Sequence, residues 1–288
     1  MTIAELVELL SLRDCGHDVF EGRTASLTRH RVFGGQVIAQ ALSACVHTVD
    51  DRAPHSLHLY FLIGGDPTQP ITYHVQRLRE GRSFATRRCD AMQNGEIIAT
   101  LTASFQQAET GFEHQIPMPD VPSPQALIES QDWCAEREQI TPRVKDRYFS
   151  DRRPIELRPV TLSRYFPLDQ RPKLPPQQYV WFRTPTRLPD DPAIHRMVLA
   201  YLSDMTLLDT ALVPHGRSVM DDEIAAASLD HALWFHRPFR CDDWLLYAQE
   251  AITTTGGRGL TRGHFFDQAG TLVASVCQEG MLRQRRRP

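Results

Sequence analysis

The 288-residue sequence has none of the compact signatures that usually mark a metal, a bound phosphate or a nucleophilic serine. Its six cysteines (Cys15, Cys45, Cys89, Cys134, Cys241, Cys277) stand apart, with no C-x-x-C pair, and no H-E-x-x-H occurs. Zinc needs clustered ligands, so no metal and no cofactor are expected. There is no G-x-S-x-G elbow and no G-x-x-x-x-G-K-[ST] loop, which removes the serine-hydrolase and P-loop classes. No uninterrupted apolar run reaches about 18 residues, so no membrane-spanning helix is expected. The start, MTIAELVELLSLRD, carries three acids and no basic leader region, and the RRRP ending is not a peroxisomal tripeptide. The expectation is a cytoplasmic chain with reduced thiols. Basic charge is also scarce. The net charge is −3, and −7 without the four arginines of RQRRRP at 283–288, so no basic face is available for nucleic acid.

What is present is ordinary globular composition, 41% hydrophobic and 23% charged, which excludes wholesale disorder. Proline is unevenly spread: fourteen of the twenty lie between Pro117 and Pro192. That divides the chain into a unit at 1–110, a Pro-rich connector at 111–150 and a second unit at 151–288. The two units echo each other. HSLHLYFL (55–62) aligns with HALWFHRP (231–238) at an offset of 176, and NGEIIATLTASF (94–105) with AGTLVASVCQEG (269–280) at 175. Two matches at one offset point to a duplicated fold of roughly 110 residues.

Each unit reads as a helix followed by strands. GGQVIAQALSACVHTV (34–49) has helical spacing, and strands are expected at 56–63, 71–78, 83–93 and 96–106, with Asn94-Gly95 as the hairpin turn. The second helix is expected over 191–209, then strands near 224–235, 244–253, 257–267 and 271–282. This is an α+β pattern, and two such units can join their sheets edge to edge.

Few residues stand out against this background. Ile194, Met197, Val198, Tyr201, Leu202, Met205 and Leu208 make one helical stripe, and Asp204 falls at its half-buried edge. Asp204 is either a solvated boundary acid or a functional one. In IAAASLDHALWFH (224–236), alternation puts Ser228 with Asp230, Ala232 and Trp234, opposite the face of Leu229, His231, Leu233 and Phe235. Ser228 is either a strand hydroxyl or a ligand-facing one. Gln278 follows Leu272, Ala274 and Val276 on one face, where a buried amide needs partners. Gly34 and Gly35 open a helix, which suits either an anionic oxygen at the free N–H groups or close packing against the sheet. His58 and His236 have no partner set, and the glycines of TTGGRGLTRG read as a turn.

RVFGGQVIAQAL (31–42), HSLHLYFL, AYLSD (200–204), DHALWFHRPF (230–239) and ASVCQEG (274–280) together resemble the acyl-CoA thioesterase II family. The resemblance runs from about residue 15 to 282. It implies a double hotdog fold, two tandem units each with a long helix wrapped by an antiparallel sheet. It also implies hydrolysis of fatty acyl-CoA by a water held between an Asp, a Ser or Thr, and a Gln. These roles map onto Asp204, Ser228 and Gln278. The first copy has Arg52 and Ala103 where the second has Ser228 and Gln278, leaving one set per chain. Gly34 and Gly35 are the candidates for holding the oxyanion. The expected partner is acyl-CoA, and the expected assembly is a homo-oligomer, a dimer or tetramer. Two alternatives stay open. One is a hotdog-class enoyl-CoA hydratase, from the partial motif Asp190-Asp-Pro-Ala-Ile-His195. The other is a non-catalytic acyl-CoA-binding protein.

Overall fold

The computed structural model describes residues 1–25, 31–150 and 154–285, so Arg286 and Arg287 of the basic tail lie outside the described residues. The first unit contains α1 (Ile3–Leu10), β1 (Arg13–Asp14), β2 (Val19–Gly22), α2 (Gly34–Val46), β3 (Ala53–Phe61), β4 (Ile71–Glu80), β5 (Phe84–Gln93) and β6 (Glu96–Gln106). Three short helices follow, α3 (Pro124–Glu129), α4 (Gln131–Gln139) and α5 (Pro142–Phe149). Then come β7 (Glu156–Pro159), β8 (Gln177–Arg183), α6 (Pro192–Ser203), β9 (Ile224–Ser228), β10 (Asp230–Phe235), β11 (Leu245–Thr255), β12 (Arg258–Asp267) and β13 (Leu272–Gln284).

The strands form one antiparallel sheet in the order β1-β2-β4-β5-β6-β3-β10-β13-β12-β11-β8-β7, with β9 on β13. The order is a mirror about the β3–β10 seam, which realises the duplication: β2, β4, β5, β6 and β3 on one side answer β8, β11, β12, β13 and β10 on the other. At the seam Leu57 faces Leu233 and Leu59 faces His231. The α+β expectation holds, and the units do join edge to edge.

Two prolines of the connector open helices. Pro124 follows the cap Ser123 in α3, and Pro142 follows Thr141 in α5. Proline at the first helical position gives up an N–H that has no partner there anyway. The strands β2 and β8 were not anticipated; β8 sits directly behind RPKLPP.

The second helix differs from its expected span of 191–209. It starts at Pro192, capped by Asp191 accepting from the Ala193 N–H at 2.9 Å, and ends at Ser203 with Asp204 as its C-cap. Tyr247 Oη on β11 donates to the Ser203 carbonyl at 3.0 Å, and Ser203 Oγ lies 2.9 Å from the Ala200 carbonyl. The last turn is therefore satisfied from outside the helix, and a separate 3-10 helix begins at Leu208. Taken together, Pro192–His215 is long and apolar enough in composition to cross a bilayer, but 83% of an 18-residue apolar stretch within it is buried inside the protein. It is core. The other long helix, α2, is buried on all sides from Gly35 to Cys45, as expected of a helix held between a sheet and a second helix.

Candidate functional site

Asp204, Ser228 and Gln278 come from three elements and meet at one point. Gln278 Nε2 donates to Asp204 Oδ1 at 2.7 Å and to Ser228 Oγ at 2.8 Å. Ser228 Oγ donates to Asp204 Oδ1 across a longer 3.3 Å. Ser228 can take part only because of a β-bulge. It pairs with Gly280 on β13, whereas Ala232 pairs with Cys277, so one extra residue lies between the two registers. That residue is Leu229, whose N–H reaches the Glu279 carbonyl and whose carbonyl accepts from the Phe61 N–H. The Asp230 carboxylate takes the Glu279 N–H at 2.7 Å and locks the bulge. Strict alternation set Ser228 opposite His231. The extra residue reverses the parity and brings both to the inner face, beside Gln278. A second bulge at Val273 removes Leu272 from the face of Ala274, Val276 and Gln278.

Gly34 and Gly35 are drawn to the same point by contact with α6, and Gly34 also lies against the Phe61 ring of β3. A Cβ on Gly34 would sit 2.6 Å from Asp204 Oδ2, and one on Gly35 would sit 2.2 Å from the Tyr201 carbonyl. Phe33, which caps α2 without a side-chain bond, packs edge-on against Tyr201 at 5.1 Å. The start of α2 thus abuts the end of α6, and the Gly35 N–H donates to the Asp204 carboxylate. An acid at a helix start is favoured by the N–H groups left unpaired there.

Burial dominates the Asp204 carboxyl and pushes its pKa up to about 6. The bonds from Gln278, Ser228 and the Gly35 N–H, and the charge of Arg31, pull the other way. The residue is half-buried by its surface, yet its carboxyl oxygens are enclosed by α2, β9 and β13. A carboxyl poised near 6 can take and return a proton close to neutral pH.

The glycines carry a prediction. Gly35→Ala sets a methyl against a main-chain oxygen that cannot turn aside, so α2 must move off α6. Thermal unfolding is expected to show a loss of about 1–3 kcal/mol together with lost turnover. Gly34→Ala meets a side chain instead, and should lower activity with a smaller loss of stability. An unchanged melting temperature for Gly35→Ala would contradict the close approach.

Among the described residues, the first unit has no matching set of side chains. Its helix α2 is capped at its C-terminus by His47, where α6 is capped by Asp204. Arg52 is ion-paired to Glu80 at 2.6 Å, and Ala103 is fully buried. His58 packs edge-on against Trp234 at 5.1 Å, and His236 bonds Ser275 at 2.8 Å; neither reaches Asp204. Asp190 and His195 lie at the far, N-terminal end of α6, with Asp190 paired to Arg240 and His195 accepting the Cys241 N–H. Gly256 and Gly257 form the β11–β12 turn with φ of 58° and 73°. Among the described residues, no group of three His, Cys, Asp or Glu side chains is placed to hold a metal ion. The sequence reading missed His231 and Tyr247, both buried beside the site. The only signal for His231 was a polar residue on an otherwise apolar strand face.

Known proteins resemble this chain in sequence and in fold. Residues 144–281 match the family model described as acyl-CoA thioesterase, and residues 23–106 match its acyl-CoA thioesterase N-terminal domain. Acyl-CoA thioesterase 2 of Haemophilus influenzae is 41% identical over 279 residues, 96% of each chain. Human acyl-coenzyme A thioesterase 8 is 38% identical over 284 residues, 96% of this chain and 88% of its own. The solved structure of an acyl-CoA thioesterase II from Mycobacterium marinum superposes with a TM-score of 0.76 at 41% identity, covering 96% of this chain and 97% of its own. A hot dog fold protein from Alicyclobacillus acidocaldarius shares the fold at TM-score 0.75 and 20% identity, over 98% and 99% of the two chains.

Proposed function

We propose a single-site, water-based mechanism for this chain, which belongs to the acyl-CoA thioesterase family and hydrolyses acyl-CoA thioesters. Asp204 is the general base, Ser228 and Gln278 position the attacking water, and the second unit carries the whole set. The observation that supports this most is the convergence of the three side chains on one carboxyl whose pKa is raised to about 6.

A thioester carbonyl gains little resonance from sulfur, so water can attack it without a covalent enzyme intermediate. Water loses a proton to Asp204 as its oxygen bonds the carbonyl carbon. The negative charge that develops on the carbonyl oxygen needs preorganised donors. The start of α2 offers them: the Gly35 N–H is engaged by Asp204, and the Gly34 N–H beside it is left for the oxyanion. When the C–S bond breaks, the proton held by Asp204 goes to the departing thiolate. The products are a free acid and coenzyme A. Fatty acyl chains are the substrate class we infer, as the sequence resemblance implies.

The pH profile tests the base. Asp204 must be ionised to accept a proton, so kcat/KM is expected to be flat above about pH 6 and to fall about tenfold per unit below it. The Gln278 bond lowers the Asp204 pKa, so Gln278→Ala should move that limb to higher pH. Thiol release followed across pH against a ladder of acyl-CoA lengths reads both. A profile flat down to pH 4 would exclude Asp204 as the base. Binding of acyl-CoA without thiol release would favour a non-catalytic binder instead.

A further inference from the structure

Two buried polar atoms beside the site have no hydrogen-bond partner: Gln278 Oε1 and His231 Nδ1. Their owners are fully buried. They are also neighbours, since the Ala232–Cys277 pair continues the register to His231 opposite Gln278. Residues directly opposite on antiparallel strands have Cβ atoms about 4.5–5.5 Å apart. The Gln278 amide is close enough to act on the ring's titration, although burial dominates and pushes the His231 pKa down to about 3. The ring is therefore neutral at any working pH and carries one proton, whose place is set by its neighbours.

The orphan pair at the Gln278 amide decides between the two tautomers, and the Ser203 hydroxyl can serve either. Ser203 Oγ lies 2.9 Å from His231 Nε2 and 2.9 Å from the Ala200 carbonyl, and it has one proton. If Nε2 carried the ring proton, the Nδ1 lone pair would face the Gln278 carbonyl oxygen, leaving two acceptors buried without a donor. With the proton on Nδ1, the ring donates to Gln278 Oε1 and the Ser203 hydroxyl turns its proton from the Ala200 carbonyl to Nε2, so both orphans are satisfied. A glutamine amide has two orientations that differ by exchange of O and N. The Nδ1–H donor selects the one with Nε2 turned to Asp204 and Ser228.

We propose that His231 is a positioning residue: as the Nδ1–H tautomer it holds the Gln278 amide with its nitrogen toward Asp204. Resting on the general-base assignment of Asp204, the inference extends the site to a chain from Ser203 through His231 and Gln278 to the base. Without this donor the amide can flip and present its oxygen to the carboxylate. The titratable groups that face Asp204 are Arg31, from the segment before α2, and Tyr247 on β11. Burial pushes the Tyr247 phenol well above its ordinary value, so a shift of the acid limb near pH 6 reports the amide.

Asparagine places an N–H near the position of Nδ1, and glutamine places one near Nε2, which separates donation from bulk. His231→Gln is expected to lower kcat about 10–10²-fold with little change in KM and to move the acid limb upward, as Gln278→Ala does. His231→Asn should recover most of kcat and the wild-type limb. Equal behaviour of the two variants, or a limb unmoved in His231→Gln, overturns the proposal. Neutron diffraction from the wild-type protein requires no variant to fold. Deuterium on Nδ1 is expected, and deuterium on Nε2 alone overturns the inference while leaving the role of Asp204 untouched. A fully active Asp204→Asn would instead remove the base assignment and leave the tautomer standing.

Discussion

Asp204→Asn is expected to lose about 10²–10⁴-fold in kcat and, in the same protein, to gain stability. The side chain keeps its shape and one oxygen that can still accept from Gln278 and Ser228. What it loses is the ability to take a proton. The stability change follows from the pKa. The carboxyl is raised from 3.8 to about 6, so the folded chain holds the Asp204 proton more tightly than the unfolded chain does. Its contribution is full below the unfolded value and is lost as pH rises through the folded one. Two pKa units correspond to roughly 3 kcal/mol as an upper bound at pH 7 and above. Asparagine removes that cost, and melting at pH 8 should rise by several degrees, with a smaller gain at pH 5. Ser228→Ala and Gln278→Ala should each cost less turnover, and neither should add to the loss in Asp204→Asn, because all three act on one water. A variant within twofold of wild type, or one that melts lower at pH 8, would remove the base from the mechanism.

The parts of this protein legible in its sequence are those set by local chemistry. Asn94 and Gly95 take φ of 51° and 81° in the β5–β6 turn, and Gly270 takes 84° in the β12–β13 turn, so both hairpins declare themselves. The strands they join lie within two residues of the expected limits. The features missed are set by distant contacts. The α6 helix stops at Ser203 because Tyr247, 44 positions away, takes its last carbonyl. Ser228 turns inward because Leu229 bulges against β13 and the Asp230 carboxylate holds the bulge. Strand alternation alone put Ser228 on the wrong face, and the resemblance to a family, not the periodicity, picked it out. Likewise β8 was hidden by the prolines of RPKLPP, although Tyr179, Val180, Trp181 and Phe182 read as strand once they lie beside β11. The glycine pair was noticed, but its reason, the approach of one helix start to another helix end, exists only in three dimensions.

Residues 111–288 expressed alone are expected to be insoluble or inactive, although they contain Asp204, Ser228 and Gln278. The first unit supplies parts of the site that the second cannot replace. The Gly35 N–H donates to the Asp204 carboxylate, and Phe33 packs on Tyr201. The Phe61 N–H donates to the Leu229 carbonyl at 2.9 Å, at the bulge that aims Ser228. Removing β3 also bares the edge of β10 from Asp230 to Trp234 in the middle of the sheet, and an open edge of that kind invites aggregation. The reverse repair should fail as well. Ala103→Gln with Arg52→Ser restores two of the three side-chain types in the first unit, but α2 is capped by His47, so no carboxyl stands where Asp204 stands in the second. Glu80, the acid beside Arg52, is already shared between Arg52 and Arg87. Thiol release by the purified C-terminal half decides the matter: a soluble half with wild-type turnover would show that the first unit is dispensable. Recovery of turnover on co-expression with residues 1–110 would show that the two units complete one site between them.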